Sequence, residues 1–104
     1  MEYKLLSINK SINKNKKLSA VFENKKTKKT KTVHFGSAPN KDYTIYSKGD
    51  KTEAEMKKKA YIARHKVREN FNNPITAGAL SRWILWNKPT VVASIADFKK
   101  RFKL

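Results

Sequence analysis

The residue types that most often perform acid–base or metal chemistry are few and scattered in this chain. It has two histidines, His34 and His65, no cysteine and eight carboxylates. Glu53 and Glu55 lie close together in sequence, but two residues apart on a helix they point to different faces. Metal-dependent nucleases need several acids that converge on one spot, and the chain has neither an H-x-x-x-H pair nor a Gly-rich phosphate loop. We therefore expect no catalytic residue, no metal, no cofactor and no enzymatic activity.

Basic residues with an aromatic neighbour follow one stripe of a predicted helix. Lys57, Tyr61, Arg64 and Arg68 recur at steps of four, three and four, and His65 adjoins them. Arginine forks match phosphate oxygens well, and most protein–DNA hydrogen bonds go to the backbone. The stripe is therefore either a phosphate-binding face or a solvated helix face.

Two further clusters of cations extend the candidate nucleic-acid-binding set. One lies in a predicted hairpin tip and comprises Lys25, Lys26, Lys28, Lys29 and Lys31. The other lies near the end of the sequence and comprises Lys99, Lys100, Arg101 and Lys103. Lysine without arginine or aromatic side chains supplies charge but reads few base edges. The tip is either a solvated loop or a basic finger, and it favours sequence-independent binding.

The charge balance indicates the class of partner. Lys and Arg number 25 against eight acids, a formal net charge of +17 that is spread over both halves of the chain. A folded monomer repels itself at this charge unless a partner supplies anions. Nucleic acid is the favoured partner, with anionic lipid or an acidic protein as alternatives. We expect no membrane-spanning helix, because no apolar run reaches about 18 residues.

A small sheet is predicted to carry the first cations. Leu18, Ala20 and Phe22 alternate with more polar residues, as do Val33 and Phe35, which predicts a hairpin with a long basic tip. The β-prone run 43–46 predicts an extra strand. We expect a single domain, 1–104. Its first part, 1–16, is a basic segment that is either mobile or a first strand. The hairpin and the extra strand follow in 17–46, and three helices in 50–104.

Capping and proline spacing predict the first helix. Asp50 and Glu53 have capping-box spacing, and Asn72-Asn73-Pro74 is expected to stop this helix. Its expected buried face is Met56, Ala60, Ala63 and Val67.

Two shorter helices follow in the prediction. Asn73 is expected to cap a second helix with Pro74 at its first position, and Thr90 to cap a third, whose buried face is Val91, Ile95, Phe98 and Phe102. Trp83 fits the core better than base stacking, whereas Trp86 fits the core edge or an intersubunit contact. The predicted fold class is α+β, a small antiparallel sheet of three to four strands followed by three helices.

The segment 78–90, GALSRWILWNKPT, resembles a family of small basic proteins of unassigned function from giant nucleocytoplasmic large DNA viruses, including marseilleviruses and mimiviruses. The resemblance spans about residues 17–104 and also covers the segments 34–37, 42–45, 64–66, 68–70 and 94–102. It implies a viral source, with a location in the virion and the infected host cell (virus factory or nucleus). It implies no catalytic residues.

Together these features favour a non-enzymatic, largely sequence-independent DNA-binding or DNA-condensing protein of a large DNA virus. Counterion release from phosphates would supply most of the affinity. The alternative is a structural virion or host-interaction protein that docks acidic proteins, and RNA is a further possible ligand. A homodimer is favoured, because it would add stability to a small core and double the basic surface.

Overall fold

The computed structural model describes residues 2–104 and confirms the α+β class. Three strands come first, β1 (Tyr3–Lys10), β2 (Lys16–Asn24) and β3 (Thr30–Ser37), and four helices follow, α1 (Tyr43–Tyr46), α2 (Lys51–His65), α3 (Ala77–Leu80) and α4 (Val91–Phe102). A π turn, Ser81–Leu85, extends α3 directly. The basic segment at the start of the chain thus contains a first strand, β1, which was one of the two alternatives for residues 1–16.

The sheet is an antiparallel meander in the order β1-β2-β3. Leu18 pairs with Phe35 and Ala20 with Val33, so the apolar residues of the predicted hairpin share one face. A bulge between Leu5 and Ser7 interrupts the β1–β2 register. Because a bulge adds one residue to one strand, Leu5 and Ile8 both pack against the core although they are three residues apart.

The predicted strand at Tyr43–Tyr46 is wrong, since these residues form the helical turn α1. Asp42 caps this turn, accepting hydrogen bonds from the backbone N–H groups of Thr44 at 2.9 Å and Ile45 at 3.3 Å. A carboxylate at the N-cap satisfies donors that a helix start leaves unpaired. Here the cap overrides the β-propensity of the run.

Helix α2 begins as predicted but buries a different face. Asp50 accepts from the backbone N–H groups of Thr52 at 2.8 Å and Glu53 at 3.2 Å. The expected apolar face is wrong, because Met56 and Val67 are 67% and 75% exposed. The face turned inward instead carries Ala54, Lys58, Tyr61 and Ile62.

The predicted end of this helix at Asn72-Asn73-Pro74 is also wrong. Helix α2 ends at His65, and the N–H groups of Arg68 and Glu69 both turn back to the His65 carbonyl at 3.1 Å. Arg68 therefore lies in a turn beyond the helix. The chain bends here because residues 66–68 are exposed and have no apolar contact to gain from another helical turn.

The second helix is shorter and more distorted than predicted. Its N-cap is Thr76, whose hydroxyl accepts from the Ala79 N–H at 3.3 Å, and not Asn73. The Trp86 N–H donates to the Ser81 carbonyl five residues earlier, which defines the π turn. Such single π turns are often found at functional sites.

Gly36 lets the π turn lie directly against the sheet. Its φ of +83° is a left-handed conformation that favours glycine, and a Cβ there would lie 2.6 Å from Leu85 Cδ1. The left-handed conformation therefore favours glycine here, and any larger residue would also displace the Leu85 side chain.

Helix α4 is confirmed in detail. Thr90 caps it by accepting from the Ala93 N–H at 3.1 Å, and Phe98 is fully buried while Val91, Ile95 and Phe102 pack against the core. The core joins the sheet to the last helices, and its fully enclosed large side chains are Phe22, Phe35, Leu80, Ile84 and Phe98. No helix between residues 2 and 104 combines the length and apolar character that crossing a bilayer demands.

Candidate nucleic-acid interface

An open cleft of about 510 Å³ lies where the sheet, α1, α2 and the π turn meet. Its walls come from the start of β2, the end of β3, the end of α1, the inner side of α2 and the turn around Trp86. Cleft volumes of this size are typical of small-molecule and cofactor sites.

Four of the five residues of the predicted helix stripe line this cleft, namely Lys57, Tyr61, Arg64 and His65. Arg68 is exposed and does not line it, because α2 ends three residues earlier. The structure adds cations from outside the helix, Lys16 at the start of β2 and Lys41 before α1. Sequence spacing could not reveal these, since they approach the cleft only through the tertiary fold.

Tyr61 is the centre of a three-ring stack at the cleft. Trp86 lies parallel to it at 4.3 Å between centroids, with 5° between the ring planes, and His65 lies at 4.1 Å with 23°. Two rings stacked this closely cannot share one face, so both faces of Tyr61 are covered. Tyr61 therefore positions its neighbours and has no face left for a nucleic-acid base.

The environment of Tyr61 keeps its hydroxyl protonated. Burial raises the pKa of Tyr61 to about 12, and the nearby Glu69 carboxylate acts in the same direction. The phenol is therefore neutral at any physiological pH and adds no negative charge to the cleft.

Tyr46 supplies a partly exposed ring beside two cations. The ammonium groups of Lys41 and Lys57 lie 5.9 and 5.8 Å from the centroid of its ring. Ammonium groups within about 6 Å of an aromatic face are attracted by its quadrupole. This contact holds two flexible lysines near the cleft although neither has a carboxylate partner among residues 2–104.

The carboxylates at the cleft differ in how they are satisfied. Asp42 is buried, accepts from Lys17 Nζ at 2.6 Å and caps α1. Glu69 Oε2 is enclosed and accepts no hydrogen bond; His65 Nδ1 lies 3.4 Å from it, within ion-pair distance, and the Glu69 side chain as a whole is one-third exposed. Neither acid was singled out by sequence reasoning, although Asp42 directly before Tyr43 and Thr44 has the character of an N-cap.

The tip lysines lie at the other end of the hairpin. Lys25, Lys26, Lys28, Lys29 and Lys31 are all exposed. Since β2 runs from Lys16 at the cleft to Asn24 at the tip, these regions are roughly 26 Å apart at about 3.3 Å per residue.

The tip itself is an ordered turn, shorter than predicted. Asn24 Oδ1 accepts from the Lys26 and Thr27 N–H groups at 2.9 and 3.1 Å, and the Lys28 N–H donates to the Asn24 carbonyl at 2.8 Å. Lys31 already belongs to β3.

The cations near the end of α4 form a third basic region. Lys99, Lys100 and Lys103 are exposed, and Lys103 ends the helix in the left-handed conformation at φ +55°. Arg101 differs, because its guanidinium lies 3.3 Å from Asp97 Oδ2 and 3.8 Å from the centroid of the Trp83 ring. A hydrogen bond from Asn87, with Arg101 nearby, lowers the pKa of Asp97 and keeps this acid ionised.

The two tryptophans have different environments. Trp83 is half-buried against the core, its Nε1 donates to the Phe71 carbonyl at 2.7 Å, and its ring contacts Phe102 edge-on at 6.3 Å. Trp86 is also half-buried, but it lines the cleft. The core-edge interpretation of Trp86 thus describes its position, and the fold gives it the additional role of a cleft wall.

Among residues 2–104, no three histidine, aspartate or glutamate side chains gather in a way that could hold a metal ion. The cleft offers ammonium and guanidinium donors for anions, aromatic rings, and the carboxylates of Asp42 and Glu69.

Comparisons with known proteins place the chain in a family without assigning it an activity. No curated protein and no solved structure matches it. A model described as a family of unknown function (DUF5754) matches residues 6–65, which comprise most of β1, the rest of the sheet, α1 and α2. The match ends before the tryptophan segment and does not bear on a viral source. Because it covers more than half of the sequence, the chain belongs to this family of unknown function.

Proposed function

We propose that the protein is a non-enzymatic, largely sequence-independent DNA-binding protein that acts on the phosphate backbone. The observation that carries this proposal is the shortage of internal partners for its cations. Of the 25 Lys and Arg side chains, only Lys17 and Arg101 lie within salt-bridge distance of a carboxylate in residues 2–104. Unpaired cations on an exposed surface are available to replace the counterions of a polyanion.

The distribution of these cations favours backbone contacts over base reading. The tip contributes lysines alone, and the last turns of α4 contribute lysines beside one arginine that Asp97 already engages. Lysine is a compact point charge that does not make the planar two-bond contact by which arginine recognises guanine. The molecule is 45 Å long, so a duplex can contact more than one of the basic regions at once.

The viral assignment belongs to the same proposal. On the resemblance of the tryptophan segment, we place the protein in a giant DNA virus, in the virion and in the infected host cell, where it would coat or condense DNA. A homodimer would double the basic surface available to one duplex.

The test measures binding to two 20-base-pair duplexes of unrelated sequence, with fluorescence anisotropy as the readout, at one salt concentration. We expect Kd values within about threefold of each other, since phosphate contacts carry no direct sequence information. An acidic polypeptide of matched charge serves as competitor. Strong preference for one duplex contradicts the proposal. Tight binding to the polypeptide with none to DNA assigns the basic surface to acidic proteins, in the virion or the host.

A further inference from the structure

The cleft differs from the other two basic regions in its shape. The tip and the end of α4 present exposed cations, whereas the cleft is a concavity of about 510 Å³. Sites of roughly 300–1,000 Å³ enclose ligands of small-molecule size. A duplex can lie across such an opening but cannot enter it, whereas one unpaired nucleotide is small enough to fit inside.

The rim of the cleft offers the two features that single strands require. Lys41, Lys57 and Arg64 are exposed cations, and none has a carboxylate within salt-bridge distance in the described chain. The centroid of the half-buried ring of Tyr46 lies 5.9 and 5.8 Å from the two lysine ammonium groups. Proteins that bind single strands combine a basic groove with aromatic rings on which bases stack.

The cleft also carries a carboxylate that a ligand can reach. Asp42 is already engaged by Lys17, whereas Glu69 lines the cleft with a side chain that is one-third exposed and has His65 Nδ1 3.4 Å from its Oε2. Gly78 lies against this carboxylate, and a Cβ at position 78 would be 2.6 Å from Glu69 Cδ. Hydrogen bonds to an ionised carboxylate are stronger than those between neutral groups, so a ligand that brings an N–H group to the exposed part of this side chain would gain a favourable contact.

We propose that the cleft binds one unpaired nucleotide of a single strand, with its phosphates at Lys41, Lys57 and Arg64 and its base directed towards Glu69. This inference rests on the proposed DNA binding and specifies the ligand of one part of its surface. Carboxylates accept from the exocyclic amino group of cytosine, a group that thymine lacks. The cleft is therefore expected to add a modest base preference to binding that is otherwise indifferent to sequence.

The first test compares two exposed lysines of α2, one at the cleft and one away from it. Lys57 lines the cleft and Lys59, two residues along the same helix, is exposed and does not. We expect Lys57→Gln to weaken binding of a 12-nucleotide dC strand about fivefold more than Lys59→Gln does. On a 12-base-pair duplex the two variants should be equal, because each removes one charge from a surface that binds phosphates non-specifically. Unchanged circular dichroism and melting temperature confirm the fold.

The second test uses Glu69→Gln, which keeps the side-chain shape and removes the negative charge. The wild-type protein should bind dC12 about fivefold more tightly than dT12, and the variant should bind the two strands equally. A mononucleotide, dCMP, should compete weakly, since it lacks the neighbouring phosphates. Competition by dCMP as strong as that of the strand would assign the cleft to a free nucleotide and overturn the proposal.

The outcomes separate this inference from the proposed function. Suppose the wild type binds both the duplex and the single strands. If Lys57→Gln and Lys59→Gln then have equal affinities for each, and the wild type binds dC12 and dT12 equally, the cleft is not a nucleotide site, while the proposed DNA binding stands. If the wild type binds no nucleic acid, both proposals fail together.

Discussion

At the scale of single residues, Trp83 shows how a side chain can be structural without being fully enclosed. It joins three parts of the chain, through a hydrogen bond to Phe71, an edge-on contact with Phe102 and the guanidinium groups of Arg82 and Arg101 at 4.1 and 3.8 Å from its ring. This placement explains why the apolar spacing around it correctly favoured packing over base stacking.

Replacing Trp83 should therefore destabilise the fold. We expect Trp83→Ala to lower the free energy of unfolding by about 3 kcal/mol, the lower end of the usual loss for Trp, because the ring is half-buried. Trp83→Phe keeps most of the packing and loses the hydrogen bond, which predicts a loss of about 1–2 kcal/mol. Urea unfolding measures both, and an unchanged Trp83→Ala curve would show that the ring does not support the core.

Tyr61 makes stability depend on alkaline pH. Its folded-state pKa of about 12 exceeds the ordinary value of 10.0. The stability that this shift contributes is complete below pH 10 and is lost as the pH rises through 12.

We expect wild type to lose more stability than Tyr61→Phe between pH 10 and 11.5, because the variant cannot ionise. Urea midpoints across that range measure the difference in slope. The comparison cancels the titration of the lysines, which both proteins share. Parallel pH profiles would contradict the buried, protonated state of Tyr61.

At the scale of elements, the best predictions came where a cap and an apolar repeat agreed. Thr90 and the spacing of Val91, Ile95, Phe98 and Phe102 correctly predicted α4, and the alternation in β2 and β3 correctly predicted their shared face. The face of α2 was missed because its inward side holds Lys58 and Tyr61 and its outward side holds Met56. Lys58 is tolerated there because its Nζ reaches the Asn87 carbonyl at 2.9 Å.

The remaining misses have a common physical origin in tertiary contacts. Residues 43–46 are β-prone, but Asp42 is held by Lys17 and converts them into a helical turn. The π turn follows from the packing of Leu85 on Gly36 and of Trp86 on Tyr61. These contacts join residues far apart in sequence, and no local sequence pattern indicates them. The cleft that they create therefore could not be predicted, although four of its lining residues were among the predicted binding residues.

Two aspartate caps allow a matched test of how much tertiary contacts contribute to a helix start. Asp42 is buried and paired with Lys17, whereas Asp50 is exposed and caps α2 alone. Asp50→Ala should cost about 1 kcal/mol as an ordinary lost cap. Asp42→Ala should cost about 3 kcal/mol, because it also leaves the mostly buried ammonium of Lys17 without its partner, and Asp42→Asn should fall between the two. Thermal or urea unfolding ranks the variants, and equal losses at both positions would mean that the Lys17 pair contributes nothing.

At the scale of the whole molecule, basic charge is divided between the ends of the sheet. The tip lysines lie on one side and the cleft cations roughly 26 Å away on the other. If DNA contacts both regions, removing the positive charges of either region should weaken binding.

We expect the tip variant, with Lys25, Lys26, Lys28 and Lys29 all changed to Ser, to bind DNA more weakly and to keep the wild-type melting temperature. Arg64→Ala combined with Arg68→Ala should weaken binding more per charge removed, because arginine forks contact phosphate oxygens in pairs. Anisotropy titrations at one salt concentration measure both effects. If neither variant changes affinity, the DNA-facing surface lies elsewhere, with the lysines of α4 as the next candidates.

The salt dependence of duplex affinity tests the central claim most directly, since it counts the phosphates that the protein neutralises. For about six phosphate contacts, Kd should rise roughly a thousandfold between 50 and 200 mM salt, with the logarithm of affinity falling linearly against the logarithm of salt concentration. A slope near zero, or no binding at 50 mM salt, would contradict binding through the basic surface.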